Sequence, residues 1–210
     1  MKIAIEGMDG VGKSTIAKMI CDEYGYKFVE KPIVELFETD GCTNNISQTL
    51  SKIYGLDSDI VKAWFFGLGN IYTYQKHENE DLVIDRHFIS NYFWNGSIKS
   101  NPVFKAMIDL IGTPDITVLL YASPETRIER IKQRDKNDKD LSDEEKQVFG
   151  YDKMINFAEE FNIPYVLINT ENRTQEEVYE EVKKEIDLTI KKQCSKKLVK
   201  NRYGVKNGNS

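Results

Sequence analysis

The chain has 210 residues, 40% of them hydrophobic and 30% charged, with a formal net charge of −5. This is the composition of a soluble globular protein, with length for one domain and a full core. No apolar stretch approaches membrane-spanning length, and the first residues read as a working strand, so neither a membrane association nor an export signal is expected.

The three cysteines, Cys21, Cys42 and Cys194, are an odd number without metal-ligand spacing, and point to a reducing, cytoplasmic location. His77 and His87 lie far apart in sequence, which argues against a structural metal site.

In chain order, residues 2–6 (KIAIE) are short and apolar, as a buried strand is. GMDGVGKST follows. Gly7, four residues, Gly12, Lys13 and Ser14 fit the phosphate-loop spacing G-x-x-x-x-G-K-[ST]. Glycines there let backbone N–H groups turn inward around phosphate oxygens. Lys13 offers a mobile charge for the β- and γ-phosphates, and Ser14 a hydroxyl for Mg²⁺. Ile16, Met19, Ile20 and Tyr24 recur at helical spacing, which predicts a helix over 13–24 whose positive end faces the same phosphates.

Further strands are expected at 27–30, 81–85, 116–121 and 164–168. Helices are expected near 57–76, 100–111, 124–135, 143–161 and 174–191. Pro124 suits a first helical turn, and Thr174 with Glu177 resembles a capping box. Residues 38–55 are polar and turn-rich, and read as a loop or a short irregular helix. Short strands separated by helices imply an α/β fold of three layers, with a five-stranded parallel sheet and helices on both faces.

The strand at 81–85 runs into Asp85 and Arg86. Ligands of open α/β sheets bind outside the carboxyl ends of the strands, which puts this pair beside the phosphate loop. An acid there holds Mg²⁺ through water, and an arginine clamps a phosphate or hydroxyl. A structural ion pair capping the strand is the alternative. The charged run RDKNDKDLSDEEK makes about 134–148 a candidate lid or a solvated helix end. Residues 1–190 read as one domain. Residues 191–210 hold six lysines, one arginine and no acid, leaving the rest of the chain near −12. Their Gly and Asn content favours a flexible, solvated tail over a nucleic-acid contact.

EGMDGVGKST, DRHFISNYFWNG and PDITVLLYASPETRIERIKQRDKNDKD resemble the signature blocks of the thymidylate kinases, within the P-loop nucleoside monophosphate and deoxynucleoside kinases. The resemblance spans roughly 2–180. It implies that Gly7, Gly10, Val11, Gly12, Lys13, Ser14 and Thr15 hold ATP and Mg²⁺, with Asp85 on the metal partly through water. Asp9 matches an acid that meets the sugar and acceptor phosphate, and Asp85 and Arg86 match the acceptor-site pair. Arg130 and Arg134 match the arginine-bearing helix before the lid, and Asn169 the loop near the adenine. Phe66 matches an aromatic that stacks on the acceptor base, with ordinary helix core as its rival. Family members are often homodimers.

The chain departs from the family at three places, one of them a shortened lid whose basic residues, Lys136 and Lys139, are mixed with acids. Asn70 stands where an arginine usually does, and Gly69 where an acid does. FVEKP lies closer to the Glu-Pro region of deoxynucleoside kinases, which makes Glu30 a candidate base. The leading expectation is Mg-ATP-dependent transfer to a (deoxy)nucleoside monophosphate, foremost dTMP. A deoxynucleoside kinase, or a nucleotide-binding relative without turnover, is the alternative. No N-K-x-D string supports a GTPase.

Overall fold

The computed structural model describes residues 1–37, 44–136, 138, 141 and 150–203. Five strands, β1 (Lys2–Glu6), β2 (Lys27–Glu30), β3 (Leu82–Asp85), β4 (Ile116–Tyr121) and β5 (Tyr165–Asn169), form one parallel sheet in the order β2-β3-β1-β4-β5. The inner strands are apolar on both sides because helices cover both faces. All four residues of β3 are buried, and five of six in β4. The order reverses at β1, so the crevice beyond its carboxyl end is where a ligand fits.

The helices are α1 (Lys13–Tyr24), α2 (Pro32–Phe37), α3 (Asn44–Tyr54), α4 (Asp59–Lys76), α5 (Phe88–Asn95), α6 (Asn101–Ile111), α7 (Pro124–Arg134), α8 (Tyr151–Glu160) and α9 (Gln175–Tyr203). Helices α1 and α9 pack together, as do α4 with α5 and α6, and α5 with α8. The core between α5, α6 and α8 is aromatic: Tyr92 stacks on Phe157 at 4.2 Å, and Phe104 meets both edge-on.

The expected strands appear within one residue. Helix α4 begins two residues late because Ser58 caps it, accepting from the Val61 N–H at 3.3 Å. The capping box at Thr174 forms reciprocally with Glu177. Three features differ from expectation. Helix α3 is a regular helix of 11 residues, Asn44–Tyr54, in a stretch read as a loop or a short irregular helix. Helices α2 and α5 were not expected at all. The last helix runs on to Tyr203, past its expected end at 191, and residues 204–210 of the expected tail lie outside the described residues. Most of the lid, Lys139 and Cys42 lie outside the described residues.

Candidate active site

The phosphate loop is shaped by what glycine permits. Gly7 has φ 133°, and a Cβ there would sit 2.3 Å from the Leu120 carbonyl oxygen. Gly10 has φ 86°, and its Cβ would meet the Arg127 carbonyl oxygen at 2.6 Å. Gly12, also left-handed, ends the loop at the N-terminus of α1 without a side-chain cap. The first-turn N–H groups of α1 are thus left facing the crevice.

Lys13 opens α1 and is buried. Its Nζ donates to the Met8 carbonyl at 2.9 Å and lies 3.6 Å from the Asp9 carboxylate. Burial, helped by Arg86, pushes its pKa down to about 8 against the pull of Asp9, Asp85 and Glu6. Ser14 Oγ donates to Asp85 Oδ2 at 3.0 Å. Asp85 is buried, and its Oδ1 has no hydrogen-bond partner among the described residues. A hydroxyl beside an orphaned carboxylate oxygen is an oxygen donor set suited to a hard cation such as Mg²⁺.

Arg86 follows at φ 72°, its guanidinium paired with Asp9. The next turn is held from below by Glu6, the last residue of β1. Its Oε1 accepts from the N–H groups of His87 at 2.8 Å and Ser90 at 3.1 Å, and its Oε2 accepts from the Ser90 hydroxyl. Glu6 is fully buried. Burial raises its pKa, opposed by those hydrogen bonds and by the Arg86 charge. The carboxylate therefore caps α5 from another strand. His87 is buried between the rings of Tyr74 and Phe88, and burial pushes its pKa down to about 3, which keeps it neutral.

One cleft of about 1740 Å³ joins these groups. It is lined at one end by the loop from Asp9 to Thr15, with Arg130, Arg134 and Thr170, and at the other by Glu30, Lys31, Phe66, Asn70, Asp85 and Arg86. Arg130 donates to the Thr170 hydroxyl at 2.9 Å and carbonyl at 2.6 Å, tying α7 to the loop after β5. Asn169 does not line the cleft; its side chain accepts from the Glu171 N–H at 2.9 Å and closes that turn. Arg134 is largely exposed and reaches Asp138 at 2.5 Å. Glu30 is 58% exposed and lies 3.7 Å from the Lys31 ammonium.

Phe66 and Asn70 stand one helical turn apart on α4. The Phe66 ring is half-buried, lines the cleft, and meets Phe65 edge-on at 5.3 Å and Tyr54 at 5.5 Å, outside the hydrophobic core. The departure at Gly69 has a steric cause. A Cβ there would lie 2.4 Å from the Ile33 backbone nitrogen, because α2 rests directly on α4. An acid at 69 would force the two helices apart.

The cleft also contains Ser90, Asn91, Trp94 and Asn95 of α5, none of them singled out from the sequence. Asn91 donates to the Ala63 carbonyl at 3.0 Å and accepts from Asn95 at 3.3 Å. Their positions, one helical turn apart, would have marked them as one face had α5 been recognised as a helix. Glu6 could have been noticed as an acid ending an apolar strand next to a glycine loop.

A family model described as thymidylate kinase matches residues 5–186. A probable thymidylate kinase of Methanococcus aeolicus is 28% identical over 207 residues, covering 94% of this chain and 97% of that one. A cytidylate kinase of Methanocaldococcus jannaschii is 28% identical over 147 residues, 68% of each chain. The solved structure of a deoxyadenosine kinase from M. mycoides with bound dATP superimposes with a TM-score of 0.59 at 20% identity, covering 89% of this chain and all of that one. That likeness bears on the fold, which it shares as a P-loop kinase. The phosphate loop, the Asp85–Arg86 corner and the family match over most of the chain agree: it belongs to the thymidylate kinase family, as a kinase acting on nucleotides.

Proposed function

We propose that the protein transfers the γ-phosphoryl group of Mg-ATP to dTMP, giving dTDP and ADP. The observation that carries this reading is the Arg86–Asp9 pair at the loop's edge, in the same cleft as Lys13. A guanidinium there is suited to hold an anionic acceptor in line with a γ-phosphoryl group seated in the loop.

Phosphoryl transfer needs mainly positioning and charge stabilisation. The loop N–H groups and Lys13 hold the donor phosphates, and Lys13 exchanges the Met8 carbonyl for phosphate oxygens. Ser14 and Asp85 would hold Mg²⁺, which neutralises phosphate charge and orients the phosphates. Arg130 covers the donor base, with Thr170 in the role expected of Asn169. Arg134 brings positive charge from the lid side. Arg86 orients the acceptor phosphate, and Phe66 gives the acceptor base an apolar face. Asn70, Asn91 and Asn95 offer amides in place of the usual arginine.

An acceptor phosphate oxygen is already a nucleophile, so no strong base is required. A nucleoside kinase would need one to take a hydroxyl proton. Glu30, the candidate, is exposed and paired with a lysine, which supports the monophosphate reading. We also infer a homodimer from the family resemblance. The exposed Ile60, Trp64 and Leu68 along one edge of α4 support it as the surface meeting a second copy.

The test is a panel of dTMP, dCMP, dUMP, dAMP and thymidine with labelled ATP and Mg²⁺. Fastest turnover of dTMP is expected. Preference for dCMP would move the protein toward cytidylate kinases. Labelled product from thymidine alone would overturn the monophosphate reading.

A further inference from the structure

Two neighbouring strands end alike. Strands β2 and β3 run parallel with Glu30 in register with Asp85. The next residue on each is a cation, Lys31 and Arg86. Both have left the β region: φ is 51° at Lys31 and 72° at Arg86. Among the described residues, four non-glycine positions have positive φ, and the other two, Asn162 and Asn172, are asparagines. Asparagine tolerates this region because its short amide can hydrogen-bond locally, a support that the long side chains of lysine and arginine lack. The two costly cases are thus the two cations beside the cleft.

Such conformations persist where the surroundings dictate them, and they gather at functional sites. The surroundings here are explicit. The Lys31 N–H donates to the Asp85 carbonyl at 3.2 Å, and the Arg86 N–H to the Ile5 carbonyl at 3.0 Å. The backbone is therefore pinned to the next strand at the residue where it kinks. Adjacent strands lie about 5 Å apart, so the kinks stand side by side, and both residues line the cleft.

The two cations differ in their present partners. Arg86 is engaged with Asp9. The Lys31 ammonium has Glu30 at 3.7 Å, with both side chains more than half exposed. An exposed pair at that distance is weak and yields readily to a stronger anion.

We propose that Lys31 is a specificity-determining residue that acts with Arg86 as a two-strand clamp on the acceptor's phosphate, selecting a nucleoside monophosphate over a nucleoside. The proposal rests on the monophosphate-kinase reading above and names the residue that enforces it. The guanidinium supplies a planar fork and the ammonium a point charge, a combination suited to a phosphate dianion. A nucleoside offers the clamp no charge. Lys31 also directly precedes Pro32, in the region where a deoxynucleoside kinase would carry its base. The residue in that spot cannot accept a proton from a 5′-hydroxyl while it is charged.

The experiment measures equilibrium binding of dTMP and of thymidine, and steady-state turnover of dTMP, for the wild type and for Lys31→Ala, Lys31→Arg and Lys31→Gly. Losing one charge-assisted contact should weaken dTMP binding about 10- to 100-fold in Lys31→Ala. Thymidine binding and the KM for ATP should stay within about threefold, since neither meets the clamp. Lys31→Arg should restore most of the dTMP affinity. Lys31→Gly, which relieves the left-handed conformation, should keep or raise the melting temperature while losing dTMP affinity as the alanine variant does.

Unchanged dTMP binding in Lys31→Ala would overturn the clamp. So would a parallel fall for dTMP and thymidine, which marks a structural role. Wild-type protein that turns over no monophosphate would instead overturn the proposed function. Its dTMP-over-thymidine binding ratio would still decide whether the clamp exists.

Discussion

The two ends of the cleft are built differently. The phosphate cradle at the donor end is local: β1, the glycine loop and α1 are one continuous stretch, to which Arg130, Arg134 and Thr170 are added from later in the chain. The acceptor end is assembled from distant pieces. It needs α2 resting on α4 at Gly69, and α5 held by the carboxylate of Glu6, more than eighty residues away in sequence. The donor end can thus be shared among proteins that bind nucleotides, while the acceptor end carries what distinguishes them.

Changes at the donor end should remove chemistry without disturbing the fold. Lys13→Ala should lower kcat by about 10³-fold or more, because a phosphate-loop cation acts on charge that develops in transfer. Its melting temperature should hold, since burial already disfavours the ammonium in the free protein. Turnover close to wild type, followed by labelled-ATP transfer, would break the assignment of the loop.

Changes at the acceptor end should do the reverse. Glu6→Ala strands two N–H groups and a hydroxyl, and should cost about 2–4 kcal/mol in denaturant unfolding. It should also raise the KM for dTMP more than that for ATP. Glu6→Gln, which keeps one oxygen for both N–H groups, should be milder. Gly69→Ala should cost about 1–3 kcal/mol, as α2 is pushed from α4. Equal rises in both KM values would erase the distinction between the ends.

The smallest effect is in pH. Lys13 must be protonated to meet phosphate, and its pKa in the free protein lies near 8. The charged form is lost as pH rises through that value, so kcat/KM for ATP should fall there. Bound phosphates favour the charged form, so kcat, which reports nucleotide-bound enzyme, should fall only at higher pH. Lys13→Arg, whatever its overall rate, should lack the limb near 8, because a guanidinium does not titrate there.

The same contrast governs what the sequence revealed. The bounds of β1 and α1 were legible to the residue, because an apolar run, glycine spacing and a helical period are all local signals. Helix α5 was not. FISNYFWN is short and rich in aromatics and asparagine, which are middling helix formers. Its cap comes from Glu6, and no window around residue 88 contains it. Ser90, Asn91 and Asn95 were missed with it. Helix α2 has only six residues, too few for a helical period to register. Asn169 was one residue away from the cleft-lining Thr170, because the turn after β5 uses the asparagine side chain for itself. The departure at Gly69 was visible, but its cause was the backbone of α2, which lies elsewhere in the chain.

The most direct measurement gives the enzyme dTMP and thymidine together, at equal concentration, with Mg²⁺ and labelled ATP, and separates the products. Label appearing in dTDP while thymidine stays unlabelled is the predicted result. Label appearing in dTMP made from thymidine, with no dTDP formed, would contradict the assignment of the cleft as a monophosphate kinase site.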